Sequence, residues 1–318
     1  MRSFATLDLR DSRVLDGGLA TELERHGVAT AGPLWSARAL VEAPGVVLAV
    51  HRAYLEAGAD ILLTASYQVS SMGFAAEGLG PADAQRAAAD ALRRSVALAV
   101  QARAGRTGIL VAASLGPYGA ALANGAEFHG NYGFASEAEQ HAVLVRFHAE
   151  RIRVLLGTEA DLLAFETLPS LAEARAIVEA LAVVAGDAPS AQPGAWLSFC
   201  CLDAAHTAHG ELLQECAGFL GGVPAVLAVG VNCTAPALIG PLLQALRAGT
   251  AKPLLAYPNS GEGWDAEHRC WTGVADVQGY ESLARDWYRQ GAQVVGGCCR
   301  TGPDHVRAVR RAAVAAAD

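Results

Sequence analysis

Lysine is almost missing from this chain: Lys252 is the only one among 318 residues. Chemistry that runs through a lysine Schiff base therefore has a single candidate, and it precedes an apolar run instead of following one. Charge is sparse altogether. Acidic and basic residues make up 18% of the chain, the net charge is −8, and no run of Lys or Arg interrupts that balance. Nucleic acid and anionic lipid, which want a basic patch, are disfavoured as partners. Apolar stretches long enough to span a bilayer are lacking too. The nearest approach, 225–243, is broken by Asn232, Pro236 and Pro241, and reads as a buried strand, a polar turn and a helix. The first thirteen residues have no secretory apolar core. Cysteines number seven, an odd count without regular spacing, which argues against a secreted disulfide framework. The expectation is a reduced cytoplasmic protein, in which clustered cysteines bind metal or react.

What is present is a large apolar fraction, 52% of residues, and an alternation. Short apolar runs at 13–16, 60–64, 108–113, 161–166, 195–199, 225–231, 253–257 and 293–296 alternate with Ala-rich helical patterns. The helical patterns lie near 36–57, 82–104, 136–157, 170–185, 210–220, 235–248, 276–290 and 303–316. Continuous apolar strands suggest a parallel sheet covered on both faces. Eight strand–helix units predict a (β/α)8 barrel, with an open doubly wound sheet as the alternative. No Pro/Ser-rich linker or shift in composition asks for a second domain, so residues 1–318 are expected to form one. In a barrel the chemistry sits where strands end and helices begin. Those junctions read Asp16-Gly17-Gly18, Tyr67-Gln68, Glu166-Thr167, Asn232-Cys233 and Gly297-Cys298-Cys299.

The last junction carries the sharpest signal. In Gln293-Val294-Val295-Gly296-Gly297-Cys298-Cys299-Arg300 an apolar strand runs into two glycines and two adjacent cysteines. Adjacent side chains on an extended strand point to opposite sides, so only a bend brings both sulfurs to one point. Glycines permit such a bend. Cys233, after the apolar run 225–231, supplies a third sulfur. Three cysteines at two strand ends, with no fourth ligand in view, describe an open metal site, as catalytic zinc sites are. The other adjacent pair, Cys200 and Cys201, lacks flanking glycines and is assigned to packing; Cys216 and Cys270 are structural or incidental. Asp16 and Glu166, at the ends of two strands, suit an ammonium group. A Gly-x-Gly-x-x-Ala pattern at 261–266 has no apolar helix behind it, so a dinucleotide site is not expected.

Taken together, Leu15-Asp16-Gly17-Gly18, Ala65-Ser66-Tyr67-Gln68, Gly116-Pro117-Tyr118-Gly119, Glu166-Thr167-Leu168-Pro169, Gly230-Val231-Asn232-Cys233, Tyr257-Pro258-Asn259-Ser260-Gly261-Glu262 and Gly296-Gly297-Cys298-Cys299 resemble the homocysteine S-methyltransferases, over roughly residues 13 to 312. The likeness is strongest to the stand-alone branch that uses S-methylmethionine. It departs at Phe128-His129-Gly130-Asn131-Tyr132, where that branch has Tyr-Arg-Gly-Asp-Tyr. The resemblance implies Zn2+ on Cys233, Cys298 and Cys299. It also implies homocysteine and a sulfonium donor as partners, and substrate contacts from Asp16, Gly17, Glu166, Trp35, Tyr67 and Asn232. A free thiol is only a few per cent thiolate at neutral pH, whereas a zinc-bound one is deprotonated outright. Trp35, Tyr67, Tyr118, Tyr132 and Trp264 are candidates for cation–π contacts with a sulfonium, about 0.5–2 kcal/mol each. S-methylmethionine is the expected donor, ahead of S-adenosylmethionine; no cobalamin is expected. Alternatives are betaine as donor, selenocysteine or another thiol as acceptor, a metal-free barrel aldolase or lyase, and a non-catalytic barrel with zinc. A monomer or small homo-oligomer is expected.

Overall fold

The computed structural model describes residues 9, 11–29, 34–186, 194–265, 270–272 and 277–317; at 35, 36, 263–265, 270–272 and 317 it describes the backbone alone. Eight parallel strands follow one another around a ring: β1 (Arg13–Val14), β2 (Ile61–Leu63), β3 (Leu110–Leu115), β4 (Leu162–Leu168), β5 (Ala195–Phe199), β6 (Val226–Asn232), β7 (Leu254–Tyr257) and β8 (Ala292–Val295). Each pairs with its successor from β2 to β8, and β8 pairs with β1 through Arg13 to Val294 and Val14 to Val295. The remaining gap is closed by a parallel bridge from Leu15 to Ile61, backed by Asp16 N donating to Ile61 O at 3.1 Å. The sheet is a (β/α)8 barrel, as the alternation predicts. Its helices are α1 (Pro44–Ala57), α2 (Pro81–Arg103), α3 (Glu137–Leu156), α4 (Leu171–Ala185), α5 (Leu213–Gly221), α6 (Ile239–Gly249), α7 (Val277–Arg289) and α8 (Pro303–Ala317).

The expected helix over 36–57 is in fact three pieces: a 3-10 turn Trp35–Arg38, a turn Ala39–Glu42, and α1. Pro44 is the reason. It opens α1, where its missing N–H costs nothing, and it drives Ala43 out of helical geometry, to φ −140°. Further short helices at Leu19–Arg25, Ser71–Ala76 and Tyr118–Leu122 lie in the connections after β1, β2 and β3. The 261–266 pattern is described only as far as Asp265. Gly263–Asp265 pairs antiparallel with Cys270–Thr272.

Alternate residues of each strand face the barrel interior, where Leu15, Ile61, Leu110, Ala112, Leu162, Ala164, Trp196, Ala228, Leu255, Tyr257 and Val294 form one apolar cluster. The intervening residues pack outward against the helices. Continuing the period of two toward the mouth gives Ser114 after Ala112, Glu166 after Ala164, Ser198 after Trp196 and Asn232 two residues beyond Gly230. The interior is thus apolar below and polar at the top, which is where a site can form. Lys252 lies at the other end, its Nζ donating to Val223 O and Val226 O at 3.0 and 2.6 Å, away from any strand-end chemistry. Among the described residues no helix is long and apolar enough to cross a membrane.

Two helix histidines are fully buried. His148 on α3 bonds Glu173 at 2.9 Å and Arg151 at 2.9 Å, and burial pushes its pKa down to about 4. His51 on α1 has no hydrogen-bond partner for either ring nitrogen among the described residues, and burial alone lowers its pKa to about 4. An unfolded histidine takes a proton near pH ~6.5 and the folded one only near its lowered value, so stability is lost as pH falls through that window. His51→Leu removes one such group and one unsatisfied polar ring. The stability of the variant relative to wild type, from urea unfolding at equal metal content, is expected to rise by about 2 kcal/mol between pH ~7.5 and ~5. Parallel pH profiles for the two proteins would refute this.

Candidate active site

The mouth of the barrel is organised by three strand ends. β6 ends in Asn232, and Cys233 follows with φ +49°; β8 ends at Val295, and Arg300 five residues on has φ +66°. Thr167, inside the last turn of β4, has φ +60°. Left-handed backbone at a non-glycine residue costs of order 1–3 kcal/mol and persists only where the surroundings enforce it. Here they do. Cys298 N donates to Pro258 O at 2.8 Å, Ser260 N to Cys299 O at 3.1 Å, and Arg300 N to Thr21 Oγ1 at 3.0 Å. The Arg300 guanidinium also grips the Glu262 carboxylate with two bonds, 3.1 and 3.2 Å. Gly297 must be glycine, because a Cβ there would overlap the Thr301 side chain. Thr301 in turn caps the bend by donating to Cys298 O at 2.7 Å.

The result is that Cys233, Cys298 and Cys299 bring their sulfurs within 4.8 Å of one another, with Cys233 Sγ 3.6 Å from Cys299 Sγ. Tetrahedral zinc at ~2.3 Å from each sulfur separates its ligands by about 3.8 Å, so the cluster fits such an ion and leaves one position open. The thiol protons support this. Cys299 is held well below the usual thiol range because Cys233 and Cys298 donate to it, whereas Cys233 is pushed up by its bonds to Cys298 and Cys299 and by burial. Three thiolates this close repel one another, and a divalent cation among them would allow all three to ionise. Among the described residues this is the only group of three or more potential ligands that converges. Cys200 is buried elsewhere, its thiol donating to Glu127 O at 3.3 Å, and burial raises its pKa further. It packs, as the missing glycines suggest.

Asp16 and Glu166 reach the same space from β1 and β4. Both are buried. Asp16 Oδ2 accepts from Leu63 N at 2.8 Å, and Oδ1 has no partner among the described residues. Glu166 accepts from Ser114 Oγ. Burial, first, and the nearby Cys298 push Glu166 up to about 8; burial and then Glu166 itself raise Asp16, despite the Leu63 amide. Two carboxyls held up chiefly by desolvation are complementary to a cation.

Asn232 is placed differently from a surface ligand. Its Oδ1 accepts from Thr167 N and Ser198 Oγ, both at 2.7 Å, and its Nδ2 donates to Thr167 Oγ1 at 2.8 Å with Cys298 Sγ at 3.9 Å. All its groups are engaged, so it fixes the strained Thr167 and faces the sulfur cluster. Gly18 N is committed to Thr301 O at 3.0 Å and to Thr301 Oγ1 at 3.1 Å; the Gly17 amide carries no such bond among the described residues. Tyr67 is half-buried, its ring lying against Gly116. The Trp35 and Trp264 side chains lie outside the described residues. Tyr118 and Tyr132 pack edge-on at 5.3 Å, and Tyr118 meets Phe147 at 5.2 Å. Ser114, Ser198 and Thr167 went unremarked as site residues in the sequence, although the period of two from Ala112 and Trp196 marks the two serines.

A family model described as homocysteine S-methyltransferase matches residues 13–313. The chain belongs to this family. The homocysteine S-methyltransferase YbgG of Bacillus subtilis is 41% identical over 313 residues, 95% of each chain. The selenocysteine Se-methyltransferase of Brassica oleracea var. italica is 40% identical, over 94% of this chain and 88% of its own length. Among solved structures, the metallated form of the homocysteine methyltransferase MmuM from Escherichia coli superposes with a TM-score of 0.80 at 38% identity, covering 96% of this chain and 98% of that one. This homocysteine methyltransferase is therefore an enzyme whose family includes a metal-bearing structure. Removing one sulfur tests whether the cluster binds a metal. Cys298→Ala is expected to lose zinc affinity by about a hundredfold or more, measured by metal analysis after chelator dialysis, while Cys200→Ala keeps its full complement. Full zinc and normal turnover in Cys298→Ala would refute the assignment.

Proposed function

We propose that this enzyme transfers a methyl group from a sulfonium, S-methylmethionine ahead of S-adenosylmethionine, to the thiol of L-homocysteine, with zinc held by Cys233, Cys298 and Cys299. The observation that carries the reading is the convergence of three sulfurs and two buried carboxyls at one end of the barrel. Zinc in that cluster would let an acceptor thiol lose its proton at neutral pH. In the transfer the donor's C–S+ bond breaks as the new S–CH3 bond forms. The electron pair of the broken bond stays on the donor sulfur, which leaves as a neutral thioether. No base acts on the methyl group, so the protein's task is to hold sulfur and carbon in line.

The side chains divide that task. Asp16 Oδ1 and Glu166 receive the homocysteine ammonium, and the Gly17 amide meets its carboxylate. Thr167 and Asn232 hold Cys298 and the β4 turn in register, and Tyr67 bounds the pocket from its place against Gly116. A selenol acceptor asks nothing further of these residues, and relatives bearing either name are equally similar. The anionic sulfur cluster attracts a cationic donor and is relieved of charge as the methyl moves, which favours sulfoniums over neutral methyl sources.

Glu166→Gln keeps the shape and removes the charge. Its homocysteine KM is expected to rise by about ten- to a hundredfold, the loss of one charge-assisted contact, with zinc content unaltered; an unchanged homocysteine KM would remove Glu166 from the site. For the donor, turnover with equal concentrations of S-methylmethionine, S-adenosylmethionine and betaine is expected to be fastest with S-methylmethionine. Faster methionine formation from betaine, or a requirement for methylcobalamin, would overturn the choice of donor.

A further inference from the structure

The connection from β3 to α3 is held in place more firmly than a tolerated insertion needs. Glu173, on the first turn of α4, accepts from Tyr118 N at 2.6 Å and from the Tyr132 hydroxyl, and is itself bonded by His148. Gly119 lets the backbone at 126–127 close against it, since a Cβ there would collide with Ala126 and with Glu127 N. The loop then passes the ends of β4 and β5: Gly130 lies against Pro169 and His209, and the Cys200 thiol bonds Glu127 O. This fixes Glu127, a residue with no part in the reading above. Its Oε2 is shielded from solvent and has no hydrogen-bond partner, and no ion pair reaches it among the described residues.

A second acceptor, on a residue bonded to the same loop, is in the same condition. Gln68, buried in the connection after β2, donates Nε2 to Ala120 O at 3.2 Å. Its Oε1 must therefore face elsewhere, and it too has no partner among the described residues. Tyr67, next to Gln68, lies against Gly116 at the end of β3, so this place opens on the same mouth as the sulfur cluster. Two solvent-shielded oxygens without a donor, one on half-buried Glu127 and one on buried Gln68, are costly unless a ligand supplies N–H groups. A sulfonium centre has none. An α-ammonium has three, and a positive charge that suits Glu127.

We infer that Glu127 and Gln68 form a second ammonium site, separate from Asp16 and Glu166, which receives the α-amino group of an amino-acid sulfonium donor. The inference rests on the proposed methyl transfer from such a donor. It makes donor recognition depend on the amino-acid end of the molecule, while the sulfonium end is steered by the sulfur cluster.

The test compares S-methylmethionine with 3-dimethylsulfoniopropionate, which carries the same dimethylsulfonium group and no ammonium. Glu127→Gln is isosteric and leaves the loop's backbone contacts untouched. It is expected to raise the KM for S-methylmethionine about tenfold or more. The homocysteine KM and the turnover of 3-dimethylsulfoniopropionate are expected to stay within about twofold, with full zinc. Gln68→Met, which keeps the chain length, is expected to raise the S-methylmethionine KM about threefold or more. Equal losses with both donors, or a shift confined to homocysteine, would overturn the site. Should the wild type reject 3-dimethylsulfoniopropionate, the split between donor and homocysteine KM decides alone. Wild-type turnover with S-methylmethionine that Glu127→Gln leaves unchanged sinks only this inference. If the wild type uses no sulfonium at all, the functional reading fails and takes this inference with it.

Discussion

Like charges at close range are the constraint on which the mouth of this barrel depends. Three thiols whose sulfurs lie within 4.8 Å cannot all ionise without a cation between them, and the chain must hold them together whether or not one is bound. It does so with backbone and not with the sulfurs themselves. Cys233 sits in a left-handed turn tied to Tyr257 O, and Cys298 and Cys299 are tied to Pro258 O and Ser260 N. Close approach of β1 and β8 supplies the rest, since a Cβ on Gly18 would lie 2.5 Å from Cys298 O. The glycines around the site are therefore spacers that let three strand ends meet.

A second layer of charge surrounds the first. Asp16, Glu166 and Glu127 are all held above the usual carboxylate range, each chiefly by burial. An acidic group in such a place is poorly matched to the empty protein and well matched to an ammonium, because the cation restores the ionised form that desolvation disfavours. Both substrates of the proposed reaction are amino acids. Their ammonium groups and the sulfonium are the positive charges this pocket lacks, and no lysine or arginine is paired with these three carboxyls among the described residues. The bidentate Arg300–Glu262 pair lies beside the cluster and locks the turn, leaving the carboxyls to the ligands.

Much of this was legible in the sequence because a parallel barrel writes its strands as continuous apolar runs and its site as whatever follows them. All eight strands fall on the expected runs, and α2 and α3 on their expected spans to within a residue. The meeting of Cys233 with Cys298 and Cys299 was legible from the glycines and the family motifs. What stayed hidden depends on which side chains are already engaged. Nothing in Gly230-Val231-Asn232-Cys233 tells that Asn232 spends its amide on Thr167 and Ser198, or that Gly18 gives its N–H to Thr301. Such commitments join residues 65 and 283 positions apart, and periodicity carries no trace of them. The break at Pro44 was readable and shows how a single proline outweighs an otherwise helical pattern.

The aromatic residues make the same point in reverse. Residue type alone suggests Tyr118 and Tyr132 as a cation–π lining. In the fold they stack with Phe134 and Phe147, and the Tyr132 hydroxyl and Tyr118 amide both end on Glu173. Ser170 caps α4 by accepting from Glu173 N at 3.2 Å. In the reciprocal form of that cap the glutamate side chain would turn back to the serine amide. Here it turns outward to gather the loop instead. That exchange converts a helix terminus into an anchor for the segment that carries Glu127. Aromatic mass thus builds the wall, and unmatched oxygen atoms mark the places where a ligand is still required.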